Sequence, residues 1–217
     1  MRVLGIDEAG RGCVLGSLVI GAYLFEGSDV GDLSKAGAAD SKTLSPKRRT
    51  AARIQLDRLG TADVRQVTPQ QIDAGNLNTL EEEVIAELVM RWRPDVVRVD
   101  ALGHPSAIPR VIERLQARIG DGLRPQWVME PKADSRYPTV GAASIFAKTT
   151  RDALLDDAKA TYGDLGSGYP SDPKTRAWII AWARSGEPWP PIVRTRWQTI
   201  ADLSQQALFG APSSDVS

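Results

Sequence analysis

The sequence predicts an α/β fold: one main domain built on a sheet that contains parallel strands, with a smaller part appended at the C-terminus. Three observations predict it. Between Asp95 and Glu130 a strand, a helix and a second strand alternate, and that order lays parallel strands side by side through a crossover helix. The 217 residues are enough for one sizeable core with an extension. The first strand, Arg2 to Ile6, runs straight into adjacent carboxylates, Asp7 and Glu8, and in sheets of this class ligands gather at the carboxyl ends of strands.

Taken in order, Arg2 to Ile6 is followed by a Gly10-Arg11-Gly12 turn and a longer apolar run from Val14 to Phe25, the second strand. Glu26 to Asp40 is rich in Gly, Ser and Asp and reads as a loop. Ser45 can cap a helix with Pro46 in its first position, running to Gly60. A third strand is expected from Asp63 to Val67, a turn at Thr68-Pro69, and a helix over Leu80 to Trp92 that Pro94 stops. Asp95 to Asp100 is a strand, Ile108 to Ile119 a helix, and Trp127 to Glu130 a strand. A long helix spans Thr139 to Tyr162; its Gly141, Ser144, Lys148 and Arg151 share one face, which reads either as a phosphate-lined path or as an exposed flank. Gly166 to Pro173 is a turn-rich hinge into a Trp-bearing helix capped by Asp172, and Trp189 to Trp197 marks a compact C-terminal part. The expected division is a core over 1–163, an extension over 164–210 and a disordered tail over 211–217.

Composition narrows the function. A hydrophobic share of 42% with 25% charged residues is that of a soluble globular protein. The Val14 to Phe25 run is too short and too broken by glycine to span a bilayer, and charges interrupt any leader pattern, so a cytoplasmic protein is expected. One cysteine, Cys13, excludes an internal disulfide, and with one histidine, His104, it excludes a Cys/His zinc site; any metal must have oxygen ligands. The 27 basic and 27 acidic side chains cancel, so nucleic-acid binding would have to rest on local patches. Lys42, Lys47, Arg48, Arg49 and Arg53 form one candidate, and Arg194 with Arg196 another; a solvated helix face explains either, and is the plainer reading of the second.

Buried carboxylates beside a strand are costly unless a cation meets them, and a metal ion would serve; a hairpin turn with solvated charges is the alternative. Asp100 and Asp134 lie at or just beyond two further strand ends, and each alone is more often a capping or turn aspartate. No Gly-Lys pair exists for a Walker A loop, Gly10-x-Gly12 lacks the third glycine of a dinucleotide fingerprint, and no Gly-x-Ser-x-Gly elbow serves His104. What remains suits metal-assisted phosphodiester chemistry.

GIDEAGRG, DSKTLS, VDALG, KADSRYPTVGAASIFAKTTRD and GSGYPSDPKT, in this order from Gly5 to about Thr175, resemble the motif series of ribonuclease HII, the prokaryotic type 2 ribonuclease H. The third and fourth blocks are more similar to the archaeal and eukaryotic branch. The resemblance implies a ribonuclease H fold, a mixed sheet of about five strands flanked by helices with a helical C-terminal extension. It implies Asp7, Glu8, Asp100 and Asp134 as catalytic, metal-binding carboxylates for two ions, Mg²⁺ or Mn²⁺, with Asp7 the best candidate to bridge them. It further implies cleavage of the RNA strand of RNA/DNA hybrids, and of the bond 5′ to a single ribonucleotide in duplex DNA, leaving 3′-hydroxyl and 5′-phosphate ends. Gly10, Arg11, Gly12 and Tyr137 are implied to read the ribose 2′-hydroxyl, with Lys42 and Lys148 on phosphates. A role in removing ribonucleotides and RNA primers goes with it.

Two departures stand out: Cys13 and Ser17 replace prolines usual in the family, which should loosen the loop, and Gly141 replaces a small alanine or serine, at an expected cost in helix stability. A non-catalytic binder of RNA–DNA junctions is the competing reading; it would need a lost carboxylate, and none is lost. A monomer is expected. Gln205-Gln206-Ala207-Leu208-Phe209 faintly resembles a sliding-clamp peptide but lacks the terminal aromatic pair, so a clamp stays a minor candidate partner.

Overall fold

The structure is a computed structural model, described over residues 1–27, 30–38, 44–101 and 104–209. A five-stranded mixed sheet has the order β3-β2-β1-β4-β5. Its strands are β1 (Arg2–Ala9), β2 (Leu18–Glu26), β3 (Thr61–Val67), β4 (Val96–Asp100) and β5 (Gln126–Glu130). β1 is central: it pairs antiparallel with β2 and parallel with β4, and β4 pairs parallel with β5. The expected crossover is present as α5 (Ile108–Ile119) between β4 and β5.

Helices cover both faces. α4 (Leu77–Trp92) and α5 bury Ile85, Leu88, Val111 and Leu115 against Leu4, Ile6, Val97 and Val99 of the sheet. On the other face lie α7 (Pro138–Tyr162) and α2 (Pro46–Leu56), where Ala142, Ala143, Ile145 and Phe146 meet Tyr23, Ala52 and Leu56. A third core joins the end of α7 to α8 (Pro173–Ser185) and α9 (Gln198–Phe209) through Leu155, Leu165, Ile179, Val193 and Leu203, and takes in Val14 and Leu15 from the N-terminal loop. The helical C-terminal region is therefore packed onto that loop.

Local chemistry explains the element ends. Ser45 accepts a hydrogen bond from the Arg48 amide at the start of α2, and Asp172 from the Lys174 amide at the start of α8, each with proline in the first turn. Four expectations need correcting. β1 continues through Asp7 and Glu8, so the carboxylates end the strand from within it. β2 begins at Leu18, because Val14 to Gly16 are committed to backbone hydrogen bonds with the C-terminal part. Thr68-Pro69 opens a short helix, α3 (Pro69–Ala74), whose Thr68 and Gln71 form a reciprocal capping box. The loop after β2 carries a one-turn helix, α1 (Gly31–Lys35).

Gly141 also has a different meaning from the one expected. A Cβ there would lie 1.7 Å from the Ala38 carbonyl oxygen and 2.9 Å from that of Asp134. The glycine lets two backbone segments close on α7, a gain in packing that offsets its lower helix propensity. Residues 211–217, expected to be a disordered tail, lie outside the described residues, as does Lys42.

Candidate active site

Successive side chains of a strand point to opposite faces. Leu4 and Ile6 enter the core under α4 and α5, so Glu8 belongs to that face and Asp7 to the face of α7. β4 follows the same rule: Val97 and Val99 take the α4/α5 side and leave Asp100 on the other. Ile6 pairs with Val99 in the parallel register. One residue further on, Asp7 and Asp100 emerge next to each other on the α7 face, on strands about 4.8 Å apart.

Opposite Asp7 on β2 is Gly21. A Cβ on Gly21 would lie 2.3 Å from the Ala143 carbonyl oxygen and 3.1 Å from the Ala147 Cβ, so α7 rests directly on sheet backbone beside Asp7. That close approach delivers two groups to the carboxylate: Ser144 hydrogen-bonds it and the Lys148 ammonium acts on it from the next turn. Burial nevertheless dominates and pushes Asp7 up to about 6. Glu8 is pushed up to about 7 by burial and then by the Asp7 charge, against the attraction of Arg11.

Asp100 Oδ1 accepts the amides of Ala101 (3.2 Å) and Ala133 (3.1 Å). The second of these ties β4 to α6 (Ala133–Arg136), whose first turn holds Asp134, 1% exposed, with its Oδ1 3.4 Å from the Ser135 hydroxyl. Among the described residues no three Asp, Glu, His or Cys side chains converge into a ready-made cation cage. Each carboxylate is met by its own neighbours: Ser144 and Lys148 at Asp7, Arg11 at Glu8, two amides at Asp100 and Ser135 at Asp134. The donor set still fits a hard divalent cation. All the donors are carboxylate oxygens, and Asp7 and Glu8, raised first by burial, are groups whose charged form a cation would favour.

A cavity of about 430 Å³ opens beside these strand ends, bounded by Glu8, Gly10-Arg11-Gly12, Arg49, Lys148, Arg151 and Tyr169. The loop around it is fixed from below. Arg194 is fully buried, yet its guanidinium donates to the carbonyls of Gly10 (2.6 Å), Arg11 (2.9 Å) and Gly16 (2.9 Å). Burial lowers it to about 10, so it stays charged at neutral pH. The Val14 amide bonds to the Gly168 carbonyl (2.9 Å) and the Gly16 amide to that of Ile192 (2.7 Å). The Arg11 side chain does not overhang the cavity as a free fork; it is ion-paired with buried Glu81 and bonded to Asn78 of α4.

Several expected residues are placed differently. Arg194 was expected on a solvated face with Arg196; Arg196 is exposed, but Arg194 is swallowed whole because three carbonyls solvate it. The basic cluster divides: Lys47 and Arg48 are exposed, whereas Arg49 pairs with Asp152 (2.8 Å) and Arg53 binds the Thr149 and Thr150 hydroxyls, fastening α2 to α7. Tyr137 does not border the cavity; its ring stacks on Arg98, 4.7 Å from guanidinium carbon to ring centre. Tyr169 borders it instead, 38% exposed, with the Arg151 guanidinium 5.0 Å over its ring and Gly12 beside it. The signal for Tyr169 was available as an aromatic held between Gly168 and Pro170 in a turn-rich stretch. For Arg194 no local signal existed.

Residues 4–200 match the family model described as ribonuclease HII. The chain is 39% identical over 208 residues to the ribonuclease HII of Aeropyrum pernix, covering 93% of this chain and 89% of that one. Among solved structures it is similar to the ribonuclease H2 of Pyrococcus horikoshii, with a TM-score of 0.86, 36% identity and coverage of 96% of this chain and 100% of that one. It is similar also to the ribonuclease HII of Archaeoglobus fulgidus, solved as a complex with PCNA, with a TM-score of 0.82, 39% identity and coverage of 93% and 96%.

Proposed function

The chain belongs to the ribonuclease HII family and is therefore a hydrolytic nuclease, a ribonuclease H, and from this premise we propose that it cuts both RNA/DNA hybrids and duplex DNA carrying single ribonucleotides. At an isolated ribonucleotide the bond cut is the one on its 5′ side, leaving a 3′-hydroxyl and a 5′-phosphate, chemistry suited to clearing misincorporated ribonucleotides and RNA primers. The observation that carries this reading is the juxtaposition of Asp7 and Asp100 beside a cavity edged by the Gly10-Arg11-Gly12 backbone and three cationic side chains. A duplex brought there meets negative groups at one point and positive groups around it, as phosphodiester chemistry at a cation-loaded centre requires.

Asp7, Glu8, Asp100 and Asp134 would hold two divalent cations, Mg²⁺ or Mn²⁺. When bound, the ions supply positive charge that activates water and stabilises the leaving oxygen. Ser144 and Lys148 hold the Asp7 carboxylate in one orientation, and the amides of Ala101 and Ala133 do so for Asp100. Lys148 and Arg151 face the cavity as phosphate partners. The Gly10-Arg11-Gly12 backbone reads the ribose, and its exposed neighbour Tyr169 offers the ring on which the adjoining sugar packs; its border position favours it over Tyr137 for that contact. A non-catalytic junction binder is disfavoured by the retention of all four carboxylates. The test is incubation with duplex DNA carrying one ribonucleotide, with and without Mg²⁺. Absence of a Mg²⁺-dependent cut 5′ to the ribonucleotide would refute the reading.

A sliding clamp is proposed as a partner at the end of α9, where Leu208 of Gln205-Gln206-Ala207-Leu208 is 68% exposed. The solved complex of the Archaeoglobus fulgidus relative with PCNA supports it.

A further inference from the structure

We propose that Arg194 is a positioning residue for ribonucleotide recognition, setting the Gly10-Arg11-Gly12 backbone from inside the protein; this rests on the substrate reading given above. A fully buried guanidinium is costly to desolvate, and the Trp197 ring, 5.2 Å from its guanidinium carbon, meets only one face of it. Its compensation comes from the three carbonyls of the loop, at 2.6 to 2.9 Å. The peptide group is planar and trans, so its C=O and N–H point in opposite directions. Turning the Gly10 carbonyl down onto Arg194 turns the Arg11 amide outward, and turning the Arg11 carbonyl down does the same for the Gly12 amide. Arg11 and Gly12 both border the cavity, whereas Arg194 does not.

Two outward amides beside the strand-end carboxylates form a fixed set of donors for a ribose hydroxyl. Arg194 makes that set without touching substrate. The rigid fork matters, because three carbonyls are met by Nε, Nη1 and Nη2 separately. A lysine would bring one point charge to the same place and satisfy fewer of them. The loss of the usual proline at Cys13 makes this anchorage more important, since the loop lacks that intrinsic stiffness.

The test compares wild type, Arg194→Met and Arg194→Lys on two substrates, duplex DNA with one ribonucleotide and a hybrid with a continuous RNA strand. Amide hydrogen exchange of residues 10–16 is followed in the absence of substrate. The expected result is a fall in kcat/KM of roughly 10- to 100-fold on the single ribonucleotide with a much smaller fall on the hybrid, where no junction has to be found. Exchange at Cys13, Val14 and Gly16 should quicken while that of β1 stays as in wild type. If Arg194→Met does not fold, Arg194→Lys carries the comparison alone. Equal losses on both substrates, or an unchanged ratio with unchanged exchange in the loop, would overturn the proposal. A wild type inactive on the single ribonucleotide would defeat the substrate reading itself, and Arg194 with it; a normal wild type with a variant that loses equally on both substrates would overturn only the role of Arg194.

Discussion

Replacing Gly21 with alanine should damage activity through a helix that never changes sequence. The added Cβ would sit 2.3 Å from the Ala143 carbonyl oxygen, against an ordinary contact of 3.4 Å or more, and 3.1 Å from both the amide nitrogen and Cβ of Ala147. The nearest atom is helix backbone, which cannot rotate away, so α7 has to lift by about 1 Å. Overpacking of this kind costs about 1–3 kcal/mol, which in a chain of this size lowers the melting temperature by roughly 2–12 °C. The same lift withdraws Ser144 and Lys148 from Asp7, and a misplacement of about 1 Å at a catalytic group can cost about 100-fold in rate. Calorimetry and cleavage of a ribonucleotide-containing duplex should be run beside Gly122→Ala, where nothing lies within 4 Å of the added atom. A Gly21→Ala protein that melts and cleaves like wild type would refute the idea that α7 positions Asp7 by resting on bare backbone.

Asp100→Asn should abolish cleavage while leaving the melting curve almost unchanged, because the remaining carbonyl oxygen can still accept the Ala101 and Ala133 amides; residual Mg²⁺-dependent activity in the folded variant would contradict the assignment. Tyr169→Ala should lower cleavage at a single ribonucleotide by the roughly 1–3 kcal/mol of a lost stacking surface, whereas Tyr137→Phe, whose ring remains free to stack on Arg98, should cleave normally; the opposite ranking would return the sugar contact to Tyr137. The Asp172 carboxyl is held below its ordinary value first by the Ser167 side chain and then by the Ser167 and Lys174 amides, so its contribution is present above pH 3.8 and lost as the pH falls through the lowered value. Asp172→Ala should therefore melt earlier than wild type at neutral pH, and the gap should close in acid; a gap independent of pH would show that the charge is not what caps α8. Leu208→Asp should weaken binding to a sliding clamp without altering cleavage of a short duplex, as titration calorimetry and a clamp-free assay would reveal; unchanged clamp affinity would remove α9 from that role.

Elements with local signals were legible in the sequence. The Ser45-Pro46 and Asp172-Pro173 caps, the helix over Ile108 to Ile119 and the strand–helix–strand order around it each depend on neighbours in the chain, and each is observed. The strands that carry Asp7 and Asp100 were readable in the same way, whereas the grouping of the four carboxylates came from the family resemblance. What was not legible depends on contacts between distant segments. Val14 to Gly16 look like strand until the carbonyls of Gly168 and Ile192 claim their amides. Gly141 looks like a defect until the carbonyls of Ala38 and Asp134 are seen against it. Arg194 and Arg196 are two residues apart and chemically identical, and only the three carbonyls of the N-terminal loop decide that one is buried and the other is not.

That last contact joins positions separated by 184 residues. Synthesis runs from the N-terminus, so β1 and its carboxylates leave the ribosome long before the side chain that completes the loop beside them. The sheet can begin to pair during translation, since β1, β2 and β3 follow one another closely, but the loop next to them must wait for a side chain 184 residues beyond Gly10. A nascent chain would thus carry Asp7 and Glu8 well before the Gly10-Arg11-Gly12 loop gains the guanidinium that holds its carbonyls.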